Sequence, residues 1–291
     1  MFQGSYVALI TPFDGGKVDE RAFGDFVEWQ ISEGTHGLLP CGTTGESPTL
    51  SHPEHERVTE ICVEVTNGRV PVLAGTGSNS TAEAISLTRH AKECGADAAL
   101  VVTPYYNKPT QEGLYQHYKA INDAVDIPIL IYNIPGRSVV DMTVETMARC
   151  GKLPNVVGVK DASNSATRPL ETRIACGEDF AQLSGEDAAV LALLVSGGHG
   201  CISVTANVAP RICSDMHTSW MGGDPNATLA AQQRLMPLHE ALFAETSPVP
   251  VKYAASVLGK CSPEVRLPLV EPTPATKEQV KAAMRAAGLL N

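Results

Sequence analysis

The chain contains eight short apolar runs, each followed by a segment with helical spacing. The runs occupy residues 6–10, 37–41, 70–74, 98–102, 127–132, the stretch that ends at Lys160, 180–183 and 200–204. Successive runs lie roughly 20 to 35 residues apart, which is the length of one strand, one helix and two short loops. Strand and helix alternating eight times predict a (β/α)₈ TIM barrel, a fold of the α/β class.

A doubly wound sheet is the competing α/β architecture. Gly75-Thr-Gly77 follows the third run, but the third glycine of the dinucleotide-binding pattern is missing, which favours the barrel. After the eighth run, residues 229–243, 250–258 and 276–289 have helical patterning, and the proline-rich stretch 261–274 is typical of a connector. We therefore predict a barrel over residues 1–223 and a small C-terminal helical domain over residues 224–291.

Composition restricts the partners and the location. The 291 residues carry a net charge of -10, which argues against nucleic acid and anionic membranes as partners. No apolar run is long enough to span a bilayer, and the N-terminal residues do not resemble a signal peptide. The eight cysteines include no C-x-x-C pair and have the scattered distribution of buried free thiols. We expect a cytoplasmic protein.

Lys160 closes the sixth run, whose valines predict a strand buried on both faces. A lysine at the end of a buried strand must reach water, pair with a carboxylate or lose its proton. The free amine attacks carbonyl groups and forms Schiff bases. An ion pair with Asp161 is the simpler interpretation of this lysine taken alone.

The other strand ends favour the catalytic interpretation of Lys160. They carry Thr43, Thr44, Tyr105, Tyr106, Tyr132, Arg137 and the backbone around Ile202. Active sites of (β/α)₈ barrels lie at the C-terminal ends of the strands, so these groups should converge with the lysine. Each has a structural alternative, because the threonines could cap a helix, Tyr132 could belong to the core and Arg137 could be an exposed loop residue.

Metal catalysis has little support in the sequence. His52 and His55 stand three residues apart, but no third ligand lies at a recognised spacing. Ser51-His-Pro-Glu54 instead has the spacing of a capping box at a helix start, and Ser80-Thr-Ala-Glu83 repeats it. No metal is predicted. A nucleophilic Cys41 is also weakly supported, since no histidine is tied to it by sequence.

Five separated motifs follow the strand ends. They are Gly42-Thr-Thr-Gly-Glu46, Thr103-Pro-Tyr-Tyr-Asn107, Tyr132-Asn-Ile-Pro-Gly-Arg137, Gly158-Val-Lys160 and Gly197-Gly-His-Gly-Cys-Ile-Ser-Val-Thr205. Together they resemble the dihydrodipicolinate synthase family, which belongs to the pyruvate-dependent aldolases of the N-acetylneuraminate lyase superfamily. The similarity runs essentially from end to end.

The resemblance implies a lyase that needs no cofactor. It would condense pyruvate with L-aspartate 4-semialdehyde to give 4-hydroxy-tetrahydrodipicolinate, in lysine and diaminopimelate biosynthesis. Lys160 would form the Schiff base with pyruvate, and Tyr132 would be the acid and base at the reacting carbon. Thr43 would link Tyr132 to Tyr106 in a proton relay.

The resemblance also assigns substrate contacts and an assembly. Thr44 and the backbone at Ile202 would hold pyruvate, with Thr43 and Thr44 near its carboxylate. Arg137 would bind the carboxylate of the aldehyde. Tyr106 would reach the site of a neighbouring subunit, so that a dimer completes the site. A homotetramer built as a dimer of dimers is expected.

A regulatory site for L-lysine is implied in the same way. In family members that lysine inhibits, the effector binds at a dimer interface, and the matching positions here are Ser47, Pro48, His52, His55, Asn79, Glu83 and Tyr105. A carboxylate such as Glu83 is a suitable partner for the effector's ammonium group. The alternative is that these are ordinary residues of helix starts.

The chain departs from the family pattern at two places. Asp161-Ala-Ser-Asn164 stands where Glu-Ala-Thr-Gly is common, which puts the loop contacts on the acceptor side in doubt, and Pro48 replaces a usual alanine. Two other functions are weighed against the synthase. One is a pyruvate-dependent aldolase acting on a sugar acid, which Arg137 disfavours. The other is a non-catalytic barrel that binds pyruvate or lysine, which the intact set of hydroxyl groups and Lys160 disfavours.

Overall fold

The structure is a computed structural model that describes residues 2–291. Its strands are β1 (Gly4–Ala8), β2 (Phe13–Asp14), β3 (Lys17–Val18), β4 (Gly37–Leu39), β5 (Leu73–Gly75), β6 (Ala98–Val102), β7 (Ile129–Asn133), β8 (Val156–Asp161), β9 (Ala181–Ser184) and β10 (Gly200–Ser203). Its helices are α1 (Glu20–Ser32), α2 (His52–Thr66), α3 (Thr81–Glu93), α4 (Gln111–Ala124), α5 (Pro135–Ser138), α6 (Val144–Cys150), α7 (Arg168–Cys176), α8 (Val190–Val195), α9 (Pro210–Met221), α10 (Pro225–Leu242), α11 (Val249–Val257) and α12 (Pro274–Ala286). Short 3₁₀ helices cover Ser47–Thr49, Asp187–Ala189 and Thr205–Asn207.

The strands β1 and β4 to β10 form one eight-stranded sheet, and helices separate the successive strands. This is the predicted (β/α)₈ fold, followed by helices at the C-terminal end of the chain. The antiparallel hairpin of β2 and β3 was not predicted, because strands of two residues are too short to show a periodic pattern. The predicted domain boundary at residue 223 falls between α9 and α10 and stays a prediction.

Four of the eight predicted strands, the first, third, fifth and seventh, are displaced by one to three residues. The fourth run coincides with β6, whereas the third, predicted at 70–74, is realised as β5 at Leu73–Gly75. Pro71 lies in that run and has no N–H for a sheet ladder. The first run, predicted at 6–10, is realised as β1 at Gly4–Ala8, because the Ile10 N–H donates to the side chain of Asn207 at 3.0 Å.

The chain divides into two compact units, one formed by Val72–Ile202 and one by Gly4–Pro71 with Ser203–Asn291. In the first unit, Leu114, Tyr118 and Ile121 of α4 are completely buried in an apolar cluster with residues of β6, β7 and β8. The amphipathic α4 places these side chains on one face of the helix. The Tyr118 hydroxyl donates to the Val101 carbonyl at 2.8 Å, which satisfies its polar atom inside the cluster.

One of the two capping boxes is confirmed. At the start of α2 the Ser51 side chain accepts from the Glu54 N–H, and the Glu54 side chain accepts from the Ser51 N–H. The box at Ser80 was predicted wrongly, because the Ser80 side chain makes no capping bond at the start of α3. The Glu83 carboxylate accepts from the Ser78 hydroxyl instead. The predicted free thiols are present, and Cys94, Cys176 and Cys261 are partly exposed.

The second unit encloses a buried ion pair. Lys252 of α11 and Glu46 have side chains that are 0% and 1% exposed, and the Lys252 Nζ lies 2.6 Å from the Glu46 Oε1. The other carboxylate oxygen accepts from the Arg266 N–H at 3.0 Å, and the ammonium group also lies 3.8 Å from the centre of the Phe13 ring. Burial lowers the pKa of Lys252, and Glu46 opposes this effect. Each charge is therefore tolerated only because the other is present.

We expect Lys252→Met to lower the free energy of unfolding by about 3 to 5 kcal/mol, because it leaves a buried carboxylate without its cation. The double variant Glu46→Gln, Lys252→Met removes both charges, keeps an acceptor for Arg266 and should recover most of this loss. Urea denaturation measures the free energy of unfolding of the single and the double variant. Lys281→Met, which breaks the surface pair with Glu278, is the control and should cost less than about 1 kcal/mol. If Lys252→Met and Lys281→Met lowered the free energy of unfolding equally, the stabilising role of the buried pair would be contradicted.

His117 is a buried titratable group in the first unit. Its Nδ1 lies 2.9 Å from the Thr81 hydroxyl oxygen, and its ring packs edge-on against Tyr118. Burial lowers the pKa of His117 from 6.5 to about 4. The neutral imidazole is thus the form that the fold accommodates.

Between pH 6.5 and pH 4 the unfolded chain binds more protons at this position than the folded chain. The stability that His117 contributes is therefore complete above pH 6.5 and is lost as the pH falls towards 4. A difference of this size corresponds to about 3 kcal/mol. Urea denaturation across this range should show a shallower loss for His117→Gln than for the unmodified protein. Parallel pH profiles would refute the prediction.

Candidate active site

The pairing of β7 with β8 brings Tyr132 and Lys160 together. The two residues are partners in the register of the parallel strands, so their side chains lie on the same face of the sheet. Both are buried, with 6% and 5% of their surfaces exposed. The Lys160 Nζ lies 4.3 Å from the centre of the Tyr132 ring. An amine and a phenol therefore share one water-poor position at the strand ends.

Asp161 does not pair with Lys160. Its carboxylate accepts from the Ser163 hydroxyl at 2.7 Å and from the Asn133 side-chain amide at 3.4 Å. Within residues 2–291, the ion pairs include no carboxylate bound to Lys160. The interpretation of this lysine as the ion-pair partner of Asp161 is thus wrong.

A tight turn after β9 leaves room for the lysine. The Ser184 hydroxyl donates to the Glu186 carbonyl at 2.8 Å and accepts from the Glu186 N–H at 3.1 Å. Between them lies Gly185, where an added Cβ would come within 2.8 Å of the Ala162 Cβ and 3.2 Å of the Lys160 Cε. Only glycine leaves the lysine side chain undisturbed at this point.

Glu186 is a residue of the site that the sequence analysis did not single out. Burial raises the pKa of its carboxyl, Asp187 adds to the effect, and Lys160 and Arg137 oppose it. Both cations are therefore close enough to Glu186 to influence its charge. The position of Glu186 just beyond the seventh parallel strand was the available signal, because that is where barrel active sites lie. It also lines a cleft of about 150 Å³ together with Asp161 and Ser184.

Arg137 lies on the short helix α5, immediately after β7, and its side chain is exposed. The following Ser138 is buried and donates to the Ile134 and Val140 carbonyls, each at 2.9 Å. Ile202 is buried on β10, one residue beyond Cys201, which is the partner of Ser184. Arg137 thus follows β7, and Lys160 lies near the end of the neighbouring strand β8.

Thr43 and Thr44 belong to the second unit, in the turn after β4. The Glu46 N–H donates to the Thr43 carbonyl at 3.1 Å, and the Thr11 hydroxyl donates to the Gly45 carbonyl at 2.7 Å. The next helix, Ser47–Thr49, has Glu46 at its N-cap position. The alternative interpretation of the two threonines as helix caps is therefore wrong.

Tyr106 lies on a loop after β6 and is 89% exposed, with a positive φ of 71°. Within residues 2–291, its hydroxyl has no hydrogen-bond partner. The neighbouring Tyr105 carbonyl accepts from the Asn79 side chain at 3.2 Å. Asn79 and Tyr105, two of the positions expected to bind lysine, are thus in contact within the first unit.

The remaining positions expected to bind lysine lie on separate elements. Glu83 is in the first turn of α3. Ser47 and Pro48 begin the 3₁₀ helix at Ser47–Thr49, while His52 begins α2. His55 is buried in the next turn of α2.

The described part of the chain, residues 2–291, contains no group of three or more His, Cys, Asp or Glu side chains arranged to hold a metal ion. Among the same residues, no helix combines the length and the apolar character needed to cross a membrane.

Comparison with known proteins identifies relatives along the whole chain. The model of the dihydrodipicolinate synthetase family matches residues 1–287. A 4-hydroxy-tetrahydrodipicolinate synthase from Rhodospirillum centenum is 70% identical over 290 residues, which cover 100% of both chains. The resemblance inferred from the five motifs is confirmed.

Three solved structures share the fold at 38% to 44% identity. A chloride-inhibited dihydrodipicolinate synthase from Acinetobacter baumannii in complex with pyruvate has a TM-score of 0.97, covering 100% of both chains at 44% identity. A lysine-bound synthase from Cyanidioschyzon merolae has a TM-score of 0.95, covering 99% of both at 38%. A monomeric dihydrodipicolinate synthase variant has a TM-score of 0.96, covering 99% of this chain and 98% of its own at 41%. The chain belongs to the dihydrodipicolinate synthetase family, and the prediction of an enzyme is confirmed.

Proposed function

We propose that the protein condenses pyruvate with L-aspartate 4-semialdehyde through a Schiff base on Lys160, in lysine and diaminopimelate biosynthesis. The observation that carries this proposal is the buried Lys160 amine, 4.3 Å from the Tyr132 ring and not paired with Asp161. Membership of the family and the pyruvate complex of the Acinetobacter baumannii relative support the choice of the first substrate.

The Lys160 amine attacks the keto carbon of pyruvate, and water leaves to give an iminium ion. The iminium withdraws electrons from the neighbouring methyl group, which loses a proton and becomes the nucleophilic carbon of an enamine. That carbon attacks the aldehyde carbon of the second substrate, whose oxygen takes up a proton. The substrate's own amine then displaces Lys160 from the former keto carbon, which closes the ring and releases the enzyme. One water molecule is lost overall.

Tyr132 is the group that moves protons in this scheme. Its ring packs beside the Lys160 amine, so its hydroxyl is available to the carbon atoms attached there. Thr43 and Tyr106 would extend the relay to solvent, with Tyr106 contributed to a neighbouring subunit. The 89% exposure of Tyr106 within one chain supports this role, because a large aromatic side chain is rarely so exposed without a partner.

Substrate binding is assigned to four groups. Thr43, Thr44 and the backbone at Ile202 hold pyruvate, and Arg137 binds the carboxylate of aspartate semialdehyde in a bidentate manner. The electrostatic effect of Arg137 on Glu186, which Lys160 shares, supports its action near the reacting carbon.

We also propose feedback inhibition by L-lysine at Ser47, Pro48, His52, His55, Asn79, Glu83 and Tyr105. The lysine-bound relative from Cyanidioschyzon merolae supports such a site, as does the contact between Asn79 and Tyr105. The protein is proposed to work in the cytoplasm as a homotetramer of two dimers. The monomeric relative makes the oligomeric state a property to measure for each member.

The Schiff base is tested by reducing the protein with borohydride in the presence of pyruvate and mapping the modified peptide by mass spectrometry. We expect the adduct on Lys160, because its buried amine is the nucleophile. Lys160→Arg should abolish the adduct, since a guanidinium group does not form the imine. Lys152→Arg, a change at an exposed lysine, is the control and should leave it intact. An unmodified protein, or an adduct on another residue, would refute the mechanism.

Inhibition is tested by measuring the condensation rate against L-lysine concentration. We expect Glu83→Ala to raise the half-inhibitory concentration at least about tenfold, because the effector's ammonium group loses a charged hydrogen-bond partner. Glu93→Ala, at the exposed end of the same helix, is the control and should leave inhibition unchanged. A wild-type rate that millimolar lysine does not alter would contradict the proposed effector site.

A further inference from the structure

The segment that carries Arg137 is fixed from both of its ends. Residues 134–143 leave the end of β7 and return to the start of α6. At the first end, Asn133 is fully buried and its side-chain amide donates to the Asp141 carboxylate at 2.8 Å. Its side-chain carbonyl accepts from the Met142 N–H at 3.0 Å. One asparagine therefore closes the segment into a loop.

A second arginine holds this loop from outside. The Arg168 guanidinium at the start of α7 donates to the Asp141 carboxylate at 2.6 Å and to the Met142 carbonyl at 2.7 Å. The Arg168 side chain is only 14% exposed, whereas the Asp141 side chain is 43% exposed, so the guanidinium group is held against the loop while the carboxylate still contacts solvent. Gln111 of α4 adds a third attachment, since its side chain donates to the Asp141 carbonyl at 2.8 Å.

The loop is also constrained beside Arg137 itself. Ser138 accepts from the buried Thr103 hydroxyl at 3.3 Å, and Val139 has a φ of 65°. A β-branched residue adopts this left-handed backbone only where its surroundings hold it there. The loop is thus held in one conformation at the point where the side chain of Arg137 leaves it.

The same network reaches the place where the sequence departs from its family. Asp161 accepts from the Asn133 amide, which also donates to Asp141. The Asp161 carboxylate also accepts from the Ser163 hydroxyl at 2.7 Å. The Ser165 hydroxyl in turn accepts from the Arg168 N–H at 3.3 Å. The loop that begins at residues 161–164, where the sequence differs from the family pattern, is therefore connected to the loop of Arg137 through Asn133, Asp141 and Arg168.

We propose that Arg168 and Asp141 are positioning residues for Arg137 and set the enzyme's affinity for the carboxylate-bearing aldehyde. This inference rests on the proposed function of Arg137. Because a shift of about 1 Å in a substrate-binding group is enough to cost a large factor in rate, loosening the loop should weaken use of the aldehyde alone. Pyruvate is bound covalently before the aldehyde enters, so steps with pyruvate should not change.

The test is steady-state kinetics with both substrates on Arg168→Gln. We expect kcat/KM for aspartate semialdehyde to fall about tenfold, with kcat/KM for pyruvate and borohydride trapping on Lys160 unchanged. Arg149→Gln breaks a surface pair of the same type with Glu112 and should alter neither value. If Arg168→Gln does not fold, as judged by circular dichroism, Asp141→Asn weakens the same contact and should give the same selective loss. Unchanged use of the aldehyde by the folded variant would overturn the proposal.

A double-variant cycle separates positioning from an independent structural effect. Arg137→Ala should lower kcat/KM for the aldehyde about 100-fold, and adding Arg168→Gln should lower it no further, because Arg168 acts only through Arg137. Losses that multiply would overturn the positioning role. If Arg137→Ala alone leaves use of the aldehyde unchanged, the proposed role of Arg137 fails, and the inference fails with it. If Arg137→Ala lowers kcat/KM for the aldehyde but Arg168→Gln does not, the positioning role is wrong and the proposed function is unaffected.

Discussion

The register between β7 and β8 is the constraint on which the candidate site depends. It pairs Tyr132 with Lys160 and, one residue further, Asn133 with Asp161. Since side chains alternate between the two faces of a strand, the first pair and the second pair point in opposite directions. The first pair brings an amine beside a phenol. The second brings an amide beside a carboxylate, and from there the hydrogen bonds to Asp141 and Arg168 begin.

A slip of one residue in this register would destroy both arrangements together. The register is protected by close packing around the strand. At Gly158 of β8 an added Cβ would lie 2.4 Å from the Ala181 carbonyl of β9, so the neighbouring backbone occupies that space. Glycine thus allows β9 to approach closely, and the turn after β9 then presents Gly185 to Lys160. The placement of the side chains at the strand ends therefore depends on close packing within the strands.

The sequence predicted the strands well because burial on both faces demands continuous apolar runs, and such runs are visible without a structure. It predicted the strand-end residues for the same reason, since the end of a buried run is where polar groups can first appear. It failed where the outcome depends on distant partners. Glu83 was expected to cap α3 with Ser80 but bonds to Ser78. Arg168 and Asp141 are 27 residues apart in sequence, and no local pattern indicates that they meet.

Two buried lysines show most clearly what the sequence leaves open. Lys252 is fully buried and lies 2.6 Å from the Glu46 carboxylate, so its charge is satisfied and holds a turn in place. Lys160 is nearly as buried but faces an aromatic ring, while the adjacent carboxylate of Asp161 is turned towards Ser163. The residue type and burial are the same, and only the neighbours differ. The Lys252 amine is bound to a carboxylate, whereas the Lys160 amine is not paired with Asp161, which is why Lys160 and not Lys252 is the proposed nucleophile. The sequence predicts a lysine at the end of a buried strand only for Lys160, and the neighbours that distinguish it from Lys252 are visible only in the structure.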